Sequence, residues 1–157
     1  MRVQERCLMG CSKSNKDPTA RVESSVIIDD EDTGIKYSHA YGILKAFEID
    51  DKQNSGEKIR LIRVRNPWGY GEWTGAWSDQ SEEVEDYKEE LTLLMKDDDE
   101  PFDPTAEDGT FLMSYDDFSS IYNNMYVCVD FPEQWNGIRY KGSWDKDNSG
   151  GIPEPAD

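Results

Sequence analysis

Two stretches of the chain alternate apolar and polar positions, SHAYGILKAFEI (38–49) and EKIRLIRVRN (57–66). The polar, glycine-ended DDKQNSG lies between them. Period-two alternation around a turn predicts a long β-hairpin. In an antiparallel pair the facing positions have a constant sum, and a turn centred near Gln53 sets that sum at about 105 to 107. Only an odd sum puts Tyr41 and Ile43 on the face of Ile62 and Val64. A sum of 105 pairs Ile43 with Ile62, Tyr41 with Val64 and His39 with Asn66, about 5 Å apart at Cβ. It also sets Lys45 against Arg60, an unfavourable pair, and a sum of 107 slides everything by one step.

Elsewhere the pattern is more broken. Arg6 to Cys11 predicts an early strand, and the polar stretch 13–32, with its apolar patch Val26-Ile27-Ile28, predicts a loop. GYGEWTGAWSD has turn character. Between Gln80 and Asp108, thirteen acidic residues face only Lys88 and Lys96. Val84, Tyr87, Leu91, Leu94 and Met95 recur there at helical spacing, which predicts one amphipathic helix. DDDEPFDPTAEDG then reads as a loop. Ser114 with Asp117 is a capping signal for a short helix through Phe118, Ile121 and Tyr122. Met125 to Phe131 returns as a strand, and after Pro132 the composition shifts.

The formal charge of −17 over 157 residues argues against nucleic acid and anionic membrane as partners. It favours a cation, most simply a metal ion held by oxygen. Three cysteines, Cys7, Cys11 and Cys128, give no disulfide framework and predict a reducing, intracellular setting. No apolar run approaches the roughly 18 residues of a membrane span, and the N-terminus lacks a signal-peptide core. Met9-Gly10-Cys11-Ser12-Lys13-Ser14 would fit an acylation signal only at a chain start, and here it is internal.

The predicted hairpin brings the single histidine to the asparagine of RVRNPWG (63–69). An asparagine carbonyl that accepts an imidazole N–H fixes the tautomer and leaves the other nitrogen free to act on a thiol. A neighbouring tryptophan can shield that bond from water. The alternative is a strand histidine that faces an Asn-Pro turn for purely structural reasons, and spacing alone leaves both open.

SHAYGI followed by LIRVRNPWGYGEWTGAWSD resembles the histidine-asparagine half of the calpain protease core. The likeness continues through LMGCS, EDGTFLMSYDDF (107–118) and YVCVDF (126–131), in order, over nearly the whole chain. It implies an α+β, mainly β architecture: a papain-like cysteine protease subdomain with an antiparallel β-barrel or sheet and a few short helices. Residues 1–131 would form that second subdomain of the core. Residues 132–157, with Trp135 and GSWDKDNSGG, would be a linker and the start of a following β-sandwich.

By the same resemblance His39 is the general base and acid, Asn66 its orienter and Trp68 the shield. Ser38 stands where the family usually has glycine. The catalytic cysteine belongs to a preceding subdomain, in a Gly-Asp-Cys-Trp type motif absent here. Cys11 and Cys128 read as buried, and Cys7 has no activating context. This chain alone should therefore not cleave peptides. Calcium is the implied cofactor, with Glu72, Asp79, Asp108 and the carbonyl of Ala106 as ligands. Thr110 replaces a further glutamate, which should weaken the site. The competing reading of these acids is a solvated surface. DKDNSGG (145–151) imitates half of an EF-hand loop, but Ala156 stands at its twelfth position and two prolines intervene, so it is rejected.

The expected function is half of a calcium-dependent cytoplasmic endopeptidase that acts on proteins once joined to a cysteine-bearing subdomain. The alternatives are a non-catalytic module that binds calcium or a protein partner, and an acidic scaffold. A half-site also predicts an apolar docking face and weak self-association.

Overall fold

A computed structural model describes residues 7–14, 33–98, 101–129, 141–143 and 147. Five strands form one antiparallel sheet: β1 (Cys7–Lys13), β2 (His39–Asp50), β3 (Lys58–Arg65), β4 (Thr110–Ser114) and β5 (Asn124–Val129). Their order is β4-β3-β2-β1-β5. Three short helices complete the fold: α1 (Glu82–Asp86), α2 (Lys88–Leu94) and α3 (Tyr115–Ile121). The architecture is the expected α+β, mainly β one, as a sheet. The Val26-Ile27-Ile28 patch and DKDNSGG lie outside the described residues, apart from Asp147.

The hairpin of β2 and β3 forms as predicted, but its register differs from the sum of 105. Ile43 faces Val64 and Gly42 faces Arg65, a sum of 107; beyond Leu44 the ladder continues as Lys45–Arg63, Ala46–Ile62 and Phe47–Leu61. The break between Ile43 and Lys45 is a β-bulge, which adds one residue and exchanges the faces of everything after it. Odd positions Tyr41 and Ile43 therefore point into one core, and odd positions Phe47 and Ile49 into another. The predicted Lys45–Arg60 clash does not arise. Lys45 faces Arg63 instead, and Asp98 lies between them, 2.7 Å from Lys45 Nζ and 3.5 Å from Arg63 Nη1.

Because helices cover both faces of β3 and β4, these strands are buried on both sides. On one face Ile62, Val64, Phe111 and Met113 pack with Cys11, Tyr41, Trp73 and the α3 residues Phe118 and Tyr122. On the other, Leu61 and Leu112 pack with Trp77, Val84, Tyr87, Leu91 and Met95. α3 begins where predicted, with Ser114 Oγ accepting the Asp117 amide at 3.0 Å. The single helix expected over 84–95 is two. At Tyr87 the backbone leaves helical geometry (φ −109°, ψ 9°). Its ring packs 5.3 Å from Trp77 and its hydroxyl accepts the Lys52 amide at 2.8 Å. Tertiary contacts override the helical period there, and Leu94, expected inside, is exposed.

Candidate active site

β2 begins at His39 and β3 ends at Arg65, so His39 and Asn66 meet at the same end of the sheet. They are not a ladder pair, as a sum of 105 required. Asn66 lies one residue past β3 and reaches the histidine with its side chain: His39 Nε2 and Asn66 Oδ1 are 2.9 Å apart and buried. The polarity of that bond follows from the rest of the amide. Asn66 Nδ2 donates to the carbonyls of Tyr70 (2.6 Å) and Gly71 (3.1 Å). The oxygen must then face the ring, where it also accepts the Trp68 amide at 3.1 Å. His39 Nε2 carries the proton, and Nδ1 keeps its lone pair.

Rings hold the imidazole from two sides. Trp68 lies 4.2 Å from it, centroid to centroid, and Tyr41 meets it edge-on at 4.9 Å. Trp68 is 40% exposed, so it caps one face of the His39–Asn66 pair while remaining open to a neighbour. The Tyr41 hydroxyl accepts the Lys36 amide at 2.9 Å, which ties this ring to the segment before β2. Tyr41, Tyr70 and Gly71 were not singled out in the sequence as site residues; the only signal was their position beside the His and Asn-Pro-Trp-Gly motifs. Ser38, next to His39, adopts φ +54°. That left-handed backbone is a physical reason for glycine at such a position.

The four expected metal ligands lie on two loops, 66–81 and 101–109, that meet at Gly109. Gly109 N–H donates to Glu72 Oε1 at 2.8 Å, and its carbonyl accepts the Asn66 amide at 2.7 Å. Gly109 has φ +82°, and a Cβ there would lie 2.9 Å from both Asn66 O and Tyr70 N. Only glycine permits this approach. Asp108 Oδ1 accepts the Thr110 amide at 2.7 Å, and the Ala106 amide bonds to Asp103 O at 3.3 Å. Both carboxylate oxygens of Asp79 are buried with no hydrogen-bond partner among the described residues.

Burial, then the charges of Glu72 and Asp108, push the Asp79 carboxyl up to about 7. Burial also raises Glu72, against the Gly109 amide that lowers it. Three carboxylates thus share one locality, although no three acid, His or Cys side chains among the described residues converge to metal-ligand distance. A buried carboxylate that lacks donors and sits among other acids is suited to a hard cation.

The cysteines divide differently from expectation. Cys11 is buried, and burial pushes its thiol up to about 12. Cys128 was expected inside but is exposed, because β5 is an edge strand. The side chain of Cys7 lies outside the described residues. β5 is separated from β2 by β1, so Cys128 is not on a strand neighbouring His39.

A family model for calpain family cysteine proteases matches residues 1–129. Calpain-1 catalytic subunit of Macaca fascicularis is 33% identical over 95% of this chain and 20% of its own length. Calpain of Schistosoma mansoni is 32% identical over 96% of the chain and 19% of its length. Human calpain-8 is 31% identical over 92% and 19%. The chain spans about a fifth of the length of the curated relatives it matches. With a family model over most of its length and such relatives over nearly all of it, the chain belongs to the calpain family of cysteine proteases.

Proposed function

We propose that this chain is the histidine-asparagine half of a calpain-type cysteine endopeptidase, active on proteins when joined to a cysteine-bearing subdomain. The observation that carries the proposal is the buried His39–Asn66 bond, whose polarity leaves Nδ1 as the basic nitrogen. Nδ1 takes the proton of the partner's thiol as sulfur attacks the scissile carbonyl. The imidazolium returns that proton to the leaving amine, which leaves an acyl-enzyme. His39 then draws a proton from water for deacylation. Asn66 keeps the ring in one tautomer throughout, and Trp68 excludes water from one face.

On this reading the nucleophile comes from the partner subdomain. A thiol whose ionisation is pushed up to about 12 is no nucleophile at neutral pH, so Cys11 is excluded. On this reading residues 1–131 are the second subdomain of the protease core and residues 132–157 open a following β-sandwich, in a cytoplasmic protein.

Calcium fits the same reading. Glu72, Asp79, Asp108 and the Ala106 carbonyl would hold the ion, which neutralises the buried carboxylates and fastens the two loops at Gly109. The Gly109 carbonyl holds the Asn66 backbone, so these ligands and the catalytic pair share one hinge residue.

The test is to express the chain fused behind a cysteine-bearing calpain subdomain and follow casein cleavage with calcium present. The fusion should cleave, His39→Ala should lose essentially all activity, and Asn66→Ala should lose about 10²-fold or more. Undiminished cleavage by His39→Ala would sink the proposal.

A further inference from the structure

Trp68 covers the His39–Asn66 bond with a side chain that is itself 40% exposed. Its backbone is fixed, since the Trp68 amide donates to Asn66 Oδ1 at 3.1 Å and the Gly69 amide to Asn66 O at 3.0 Å. Those bonds do not choose a rotamer for the indole. A half-open ring of this size keeps other rotamers within reach unless a contact favours one. The ring meets His39 at 4.2 Å and Tyr70 at 5.9 Å between centroids, and Tyr70 is exposed as well. It also meets a cation: Lys36 Nζ lies 5.4 Å from the centre of the Trp68 ring. That is within the roughly 6 Å over which an ammonium is attracted to an indole face.

Lys36 is held at this place by its own surroundings. Its amide donates to the Tyr41 hydroxyl at 2.9 Å, Ile35 before it is fully buried, and the Ser38 amide donates to Lys13 O at 2.8 Å. The lysine side chain is half-buried and reaches Gly71. A Cβ on Gly71 would lie 3.5 Å from Lys36 Cε and 3.4 Å from Asn66 Nδ2, so both groups border the space that the glycine leaves open. We propose that Lys36 is a positioning residue: its ammonium holds the Trp68 indole over the His39–Asn66 bond, and its stem closes the Gly71 side. A lysine can do both, because its methylenes pack as an apolar stem while the charged head stays hydrated. A bond kept from water is a stronger one, and it holds the imidazole in the tautomer that leaves Nδ1 basic. The consequence for catalysis rests on the function proposed above, whereas the clamp itself is a property of this chain alone.

The experiment measures by NMR how fast the His39 Nε2–H exchanges with water in the whole 157-residue chain. The wild type should show a protected N–H, and Trp68→Ala should lose that protection. Lys36→Met, which keeps an unbranched stem and removes the charge, should exchange about two- to fivefold faster than the wild type, the effect of one exposed cation–π contact. Lys36→Arg should return to within about twofold of the wild type, since a guanidinium also stacks on an indole. If Lys36→Met exchanges like the wild type while Trp68→Ala is fast, the role of Lys36 is overturned and the Trp68 shield stands. If Lys36→Arg is as fast as Lys36→Met, shape rather than charge acts at this position and the ammonium's role is overturned. A wild-type N–H as unprotected as that of Trp68→Ala would overturn the shield and Lys36 together, and would leave the casein test of His39 and Asn66 standing.

Discussion

All four hydrogen-bonding positions of the Asn66 amide are occupied, two at the oxygen and two at the nitrogen. That saturation is what converts a nearby histidine into an oriented one. Ser38, the residue before it, works against local preference with φ +54°. Its Cβ makes that conformation cost about 1–2 kcal/mol. Ser38→Gly should therefore raise stability by about 0.5–1.5 kcal/mol in urea unfolding, with the His39–Asn66 bond kept. No gain would mean that the serine side chain offsets its own strain. Cys11 gives a pH dependence whose sign is fixed. Its folded ionisation, at about 12, lies above the roughly 8.5 of an unfolded thiol. Its contribution to stability is full below about pH 8.5 and is lost as pH rises from there toward 12. Alkaline unfolding of Cys11→Ala should show a shallower loss across that window, and identical profiles would contradict the burial argument.

At the scale of elements, the hinge between two loops matters more than either loop. Gly109 joins the 101–109 loop to the 66–81 loop through both of its backbone groups, one at Asn66 and one at Glu72. Gly109→Ala forces a Cβ against Asn66 O and Tyr70 N at a backbone angle that disfavours it. It should cost about 2 kcal/mol or more and loosen Asn66, seen as faster exchange of the Asn66 amide. Much of this scaffold was readable beforehand, and what was not had specific causes. The alternation of β2 and β3 named the hairpin, although β3 is buried on both faces from Leu61 to Val64. The bulge at Leu44 left no mark, because an inserted residue keeps the apolar count and changes only the faces, as Phe47 and Ile49 show. The break at Tyr87 was hidden for a similar reason: Val84, Tyr87, Leu91 and Met95 stay buried across two helices just as they would along one. Cys128 read as buried because YVCVDF is an apolar run like a core strand, and nothing local says that a strand is an edge. His39, Asn66 and Trp68 were legible because the site lies where two predictable strands end. The Tyr70 and Gly71 carbonyls were not, since backbone acceptors have no signature in side chains.

For the molecule as a whole, the sheet is well covered over β3 and β4 and thinly covered toward β5. Leu8 is 80% exposed, and Met125, Tyr126 and Val127 are exposed too. Trp68 and Tyr70 are exposed at the end of the sheet that holds His39 and Asn66. On the proposed function a chain that presents such surfaces is a half-site, and it should be inert toward casein by itself. The central claim is that this half-site is built before any partner arrives. It is tested most directly by the ¹⁵N chemical shifts of the single imidazole in the isolated chain, measured with Asn66→Ala alongside. The Nε2–H tautomer alone, with Nδ1 at an acceptor shift, is the predicted result, and Asn66→Ala should release the ring to a mixture. A wild-type histidine that already averages between its two tautomers would show that Asn66 does not orient it, and the catalytic reading would lose its foundation.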